Sequence, residues 1–106
     1  MTHTRHEIDP VIHSPVRFSI VAFLIGLDEC EFSALRDAIE LSDSSLSQHL
    51  TVLETAGHIE ISKRKVGRRS RTYIRCTDGG QGAFRKNLQA LATIASSNAE
   101  SLSAQS

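Results

Sequence analysis

Apolar positions in this chain change period twice, and the changes divide it into helices, a β-hairpin and a last helix. Phe18, Val21, Ala22, Leu24 and Ile25 recur at three- and four-residue spacings, which predicts an amphipathic helix. Ser14 and Pro15 suit its cap and first turn, and Gly26-Leu27-Asp28-Glu29 ends it. Ahead of it, Ile8-Asp9-Pro10-Val11-Ile12-His13 reads as a short helical arm whose apolar residues need a surface to cover. Cys30-Glu31-Phe32 is a strand stub. Ser33 is then expected to cap a second helix, Ala34 to Glu40, with Leu35, Ala38 and Ile39 inward. A third helix runs from Asp43 to Ala56, capped by Ser42 and stopped by Gly57, which fits the left-handed position just past a helix end.

After Gly57 the period drops to two. Ile59 and Ile61 alternate with Glu60 and Ser62, Tyr73-Ile74-Arg75-Cys76 forms a second β-type segment, and Val66 to Arg71 between them reads as a hairpin tip. The helical period returns from Thr77 or Gly80 to Ala95. Phe84, Leu88, Leu91 and Ala95 fall within one stripe about 60° wide at an advance of about 100° per residue, and Ala83, Ala90 and Ile94 widen it. One side of such a strip can pack on its own domain; the excess predicts a partner helix, with Ile8, Val11 and Ile12 of the arm laid across the seam. Residues 96–106, SSNAESLSAQS, read as a flexible tail. The expected fold class is mainly α with a small antiparallel β-hairpin. It divides into an arm (1–13), a core (14–76), a C-terminal dimerisation helix (77–95) and the tail.

With 106 residues the chain is one small domain, for which a partner subunit adds useful buried surface. No apolar run approaches the ~20 residues that cross a bilayer, and the first residues show no signal-peptide core, which points to the cytoplasm. The net charge of zero conceals a segregation. Lys63 to Arg75 holds seven of the twelve Lys/Arg and no acid, whereas residues 1–60 carry three Arg against ten Asp/Glu. A cationic face of this kind suits a polyanion, above all nucleic acid, although a solvated basic loop is the blander account.

The third helix changes that balance. With Leu46 at zero, Leu50 and Leu53 lie within about 40° of it, while Ser44, Gln48, Thr51 and Thr55 cluster near the opposite side. An ordinary solvated face would carry Glu and Lys. This one offers short uncharged groups that hydrogen-bond base edges and phosphates without repelling either. Three helices followed by a hairpin with a basic tip form the winged helix-turn-helix plan, with one helix in the major groove and the wing on the backbone or minor groove. The expected DNA contacts are Ser44, Ser45, Ser47, Gln48, His49 and Thr51 from the helix and Lys63, Lys65, Arg68, Arg69 and Arg71 from the wing.

Several strings also carry a family resemblance: Ile8 to Arg17, Leu35-Arg36-Asp37, Leu41-Ser42-Asp43, Leu46-Ser47-Gln48-His49-Leu50, Leu53-Glu54, Ala56-Gly57 and Gly67-Arg68-Arg69. Together, from about Ile8 to Phe84, the chain resembles small winged helix bacterial or archaeal transcriptional regulators, short relatives of the MarR and ArsR families. The resemblance implies a homodimeric DNA-binding repressor or regulator, with residues 43–56 as recognition helix and 63–71 as wing, and two such helices about one DNA turn apart would read an inverted-repeat duplex. Two features depart from it. Gly79, Gly80 and Gly82 loosen the start of the last helix, at about 1 kcal/mol each if helical, and the Cys pair that ArsR-type metal sensing places on a helix has no counterpart.

Other chemistry finds little support. His3, His6, His13, His49 and His58 form no HxH or HExxH, no glycine-rich phosphate loop follows a strand, and Cys30 and Cys76 have no metal-type spacing, so neither enzyme activity, cofactor nor metal is expected. Two further readings stay open: a winged helix used as a protein-interaction module, and a regulator with an added thiol or small-molecule effector response. Cys30 and Cys76 bear on the latter, because the strand stub and the second hairpin strand can pair and bring the two thiols near each other.

Overall fold

The structure, a computed structural model, describes residues 9–104, with side chains to residue 97. Asp9 caps α1 (Pro10–His13) by accepting from the Val11 amide, and Ser14 caps α2 (Pro15–Ile25) by accepting from that of Arg17. Strand β1 (Cys30–Glu31) runs straight into α3 (Phe32–Ile39). Here the expected cap is corrected. Glu31, the last strand residue, occupies the cap position, and the Ser33 hydroxyl donates to the Glu31 carboxylate at 3.2 Å instead of capping the helix. Ser42 does cap α4 (Asp43–Thr55), its hydroxyl accepting from Ser45 N–H at 3.2 Å, and Gly57 follows with a left-handed φ of 79°.

The hairpin is longer than its residue types suggest. Strands β2 (Ile59–Val66) and β3 (Arg69–Cys76) leave only Gly67-Arg68 as the turn, and the φ of 66° at Gly67 supplies the conformation that a two-residue hairpin turn requires. Lys and Arg look like loop composition, yet exposed strand positions in a hairpin accept them. The sheet order is β1-β3-β2, antiparallel throughout, with Cys30 opposite Ile74 and Ile61 opposite Ile74 on the other side.

Ile20, Val21 and Leu24 of α2, Leu35 of α3, Leu46, Leu50 and Leu53 of α4, and Ile59, Ile74, Cys30 and Cys76 of the sheet form one core. The pairing of β1 with β3 brings both cysteines to that core as free thiols, and burial pushes both thiols up.

The last helix, α5 (Asp78–Ala104), differs from expectation in length and rotation. It continues past Ala95 through the segment read as a tail, since no Gly or Pro follows Gly82 and alanines recur to its end. Its inward stripe is centred on Asn87, with Gly80 and Ala90 also buried and Ala83, Leu91 and Ile94 half-buried. The expected partner-facing set therefore divides. Ile8 lies outside the described residues, Ile12 is fully buried within its own chain, Val11 packs on the core, and Phe84 stacks on Phe18 with ring centroids 4.8 Å apart. Leu88, half exposed, and Ala95 face outward, with Leu91 at the border. The cause is the contact at Gly80, where backbone meets backbone and fixes the rotation of the helix; Thr77 reinforces it, its hydroxyl donating to Gly57 C=O at 2.7 Å and accepting from Gly80 N–H at 3.0 Å.

Candidate nucleic-acid interface

Burial of Leu46, Leu50 and Leu53 turns the other side of α4 to solvent. Ser44, Ser47, Gln48 and Thr51 are exposed there, while Ser45 and His49 sit half-buried at its margins. Their hydrogen-bonding capacity is not uniform. Thr51 Oγ donates to Ser47 C=O at 3.0 Å, so toward a ligand it offers only acceptor lone pairs and its methyl group. Among the described residues Gln48 makes no side-chain hydrogen bond, so its amide keeps both a donor and an acceptor for a base edge.

Two arginines outside the expected set brace this helix. Arg17 donates through Nε to Val11 C=O at 2.6 Å and through Nη1 to His49 Nδ1 at 3.3 Å. A guanidinium can only donate, so Nδ1 accepts and Nε2 carries the imidazole proton. Arg36 pairs with Asp43 at 2.8 Å and Asp37 at 3.0 Å; Asp43 and then Asp37 raise its pKa further above the ordinary arginine range, and the Asp43 charge at the helix start is neutralised. A single sequence gave no sign of either brace, because both depend on how α1, α2 and α3 stack on α4.

Across from α4 stands the hairpin. Alternation and register place Lys63, Lys65, Ser70 and Thr72 on the face that also carries Ile59, Ile61 and Ile74. A groove of about 390 Å³ runs between the two elements, lined by Asp43, whose carboxylate Arg36 holds, by Ser47, Thr51, Lys63 and Thr72, and by the apolar Phe32, Leu50 and Ile61. Arg68 and Arg69 lie at the hairpin tip. Arg64, Arg71 and Arg75 are engaged with Glu29, Glu31 and Glu60 respectively, whereas Lys63, Lys65, Arg68 and Arg69 have no carboxylate partner among the described residues. Of the expected wing contacts, Arg71 is thus the one the structure commits elsewhere. The described residues include no cluster of three or more His, Cys, Asp or Glu placed to hold a metal ion, and no helix long and apolar enough to cross a membrane.

A buried three-helix core, an uncharged helix face and a cationic hairpin across a groove define the winged helix class. The chain belongs to the winged helix DNA-binding domain family, whose model matches residues 16–95. An uncharacterized protein of Methanocaldococcus jannaschii is 39% identical over 75 residues, 71% of this chain and 82% of that one. A transcriptional regulator homologue from Pyrococcus horikoshii superposes with a TM-score of 0.81 at 26% identity, covering 92% of this chain and 97% of that one. A mutant MarR of E. coli complexed with operator DNA shares the fold, with a TM-score of 0.67 at 15% identity over 83% of this chain and 62% of that one.

Proposed function

We propose that this chain is a sequence-specific double-stranded-DNA-binding transcriptional regulator that works as a homodimer and represses by occupying its site. The observation that carries this reading is the pairing of an uncharged, hydrogen-bonding face on α4 with Lys63 and Lys65 on the hairpin face across one groove, and with Arg68 and Arg69 at the hairpin tip, all four without a carboxylate partner among the described residues. Gln48, Ser44, Ser47 and Thr51 are the groups for base edges. Lys63, Lys65, Arg68 and Arg69 are the groups for phosphates and the minor groove, and His49 has its Nε2–H for a backbone oxygen. The DNA-bound state of the MarR relative supports the same docking here. Such work is done where the chromosome is, which in a bacterium or archaeon is the cytoplasm.

A second copy of the chain is the proposed partner, through Leu88, Leu91 and Ala95 of α5. The test is a salt titration of binding to random duplex, followed by selection of a preferred site from a random library. Affinity should fall steeply with salt, each released phosphate contact adding roughly one to the slope, and the selected site should be an inverted repeat. Binding that ignores salt refutes the proposal.

A further inference from the structure

The hairpin has two faces of different chemistry. The face opposite the α4 groove carries Glu60, Arg64, Arg71, Tyr73 and Arg75, with Arg69 at its tip end. Arg64 and Arg71 are direct cross-strand partners there, and like charges in that position destabilise a hairpin. Each has a carboxylate, and both carboxylates come from one place. Arg71 Nη1 donates to the two oxygens of Glu31 at 2.8 and 3.0 Å; Arg64 donates to Glu29 while its guanidinium lies 3.7 Å over the Tyr73 ring. Arg71 Nε is buried, so this side chain lies packed along the sheet.

The position of those carboxylates matters because β1 pairs with only Tyr73 and Ile74 of β3. Among the described residues, the part of the hairpin beyond Tyr73, which holds Lys63, Lys65, Arg68 and Arg69, has no third strand beside it. Arg64 and Arg71 reach back from that free part to Glu29 and Glu31, which flank Cys30 just before the start of α3. The ion pairs therefore tie the free half of the hairpin to the helix-turn-helix.

We propose that Glu29 and Glu31 are positioning residues of the DNA interface: through Arg64 and Arg71, which act as struts and not as phosphate contacts, they set the angle of the wing to α4. This rests on the DNA-binding reading above and specifies which cations meet the duplex. It reverses a simple expectation, since an acid beside a DNA-binding surface ordinarily weakens binding.

The experiment measures the full chain by fluorescence anisotropy against the selected site and a random duplex over a range of salt. Arg71→Glu alone should bind about tenfold or more weakly. The charge exchange, Arg71→Glu with Glu31→Arg, should restore binding to within about threefold of wild type with an unchanged salt slope. Glu31→Gln should weaken binding to the selected site and narrow its preference over random duplex, although it removes a negative charge. An exchange variant that folds and stays as weak as Arg71→Glu, or a Glu31→Gln variant that binds more tightly, overturns the proposal by making Arg71 a phosphate contact for which Glu31 competes. Should circular dichroism show the exchange variant unfolded, the direction of the Glu31→Gln effect decides alone. A wild-type chain that binds no duplex is a different result, and refutes DNA binding itself.

Discussion

A methyl group at Gly80 would sit 2.1 Å from the His58 carbonyl oxygen and 2.9 Å from the Cys76 sulfur, whereas one at Gly82 would meet nothing within 4 Å. Two glycines that look alike in the sequence therefore predict opposite effects. Gly82→Ala should raise stability by about 1 kcal/mol, the ordinary helix-propensity gain. Gly80→Ala should lower it by roughly 1 to 3 kcal/mol, because the backbone carbonyl has no room to yield. Urea denaturation of the two variants checks both signs. The thiols give a second expectation at this scale. Burial raises both, so the folded state holds those protons more tightly than the unfolded chain does. Their contribution is complete below the unfolded thiol value of about 8.5 and is lost as pH rises above it. Melting temperature should fall as pH rises above about 8.5, less so in a Cys30→Ala, Cys76→Ala variant, and native alkylation near neutral pH should be slow.

Each of the two elements that face the proposed duplex carries a different part of the recognition, and their variants should separate. Gln48→Ala on α4 removes the exposed amide, which should cost about 1 to 3 kcal/mol of discrimination while leaving most non-specific affinity in place. Lys63→Ala with Lys65→Ala should weaken selected and random duplex alike and reduce the salt slope by about 2. Thr51→Ala should have the smaller effect of the two α4 changes, because its hydroxyl proton is already engaged by Ser47. Equal losses of discrimination from helix and hairpin variants would contradict this division of labour.

At the scale of the molecule, α5 decides assembly. Its 27 residues extend about 40 Å at 1.5 Å per residue, well beyond a body whose shorter dimensions are 26 and 22 Å. Leu88 is 50% exposed on that helix, the largest outward apolar side chain among its described positions. Leu88→Glu should give monomers in sedimentation at tens of micromolar, the order at which weak dimers form, and should reduce affinity for an inverted repeat toward that for a half-site. Because Leu88 faces away from the core, circular dichroism should be unchanged. A wild-type chain that sediments as a monomer under those conditions refutes the dimer.

Where local chemistry suffices, the sequence by itself determined the outcome. Ser14 and Ser42 cap helices on their own neighbours, the Leu46-Leu50-Leu53 spacing turns α4 inward, Gly57 stops it, and alternation at Ile59 and Ile61 starts the hairpin, so the winged plan and the polar face of α4 were legible residue by residue. Tertiary structure decided what depends on distant partners. By period α5 offers one broad apolar strip, and the backbone contact of Gly80 with His58 decided which part of it turns inward, burying Ala90, setting Phe84 against Phe18 and leaving Leu88 outward. Lys63, Lys65, Arg68, Arg69 and Arg71 were equally good wing contacts along the chain. Only the approach of β1 to β3 distinguishes Arg71, held by Glu31, from Arg69 two residues away, because a charge is neutralised by what lies beside it in space and a linear pattern of side chains records neither the distance nor the face.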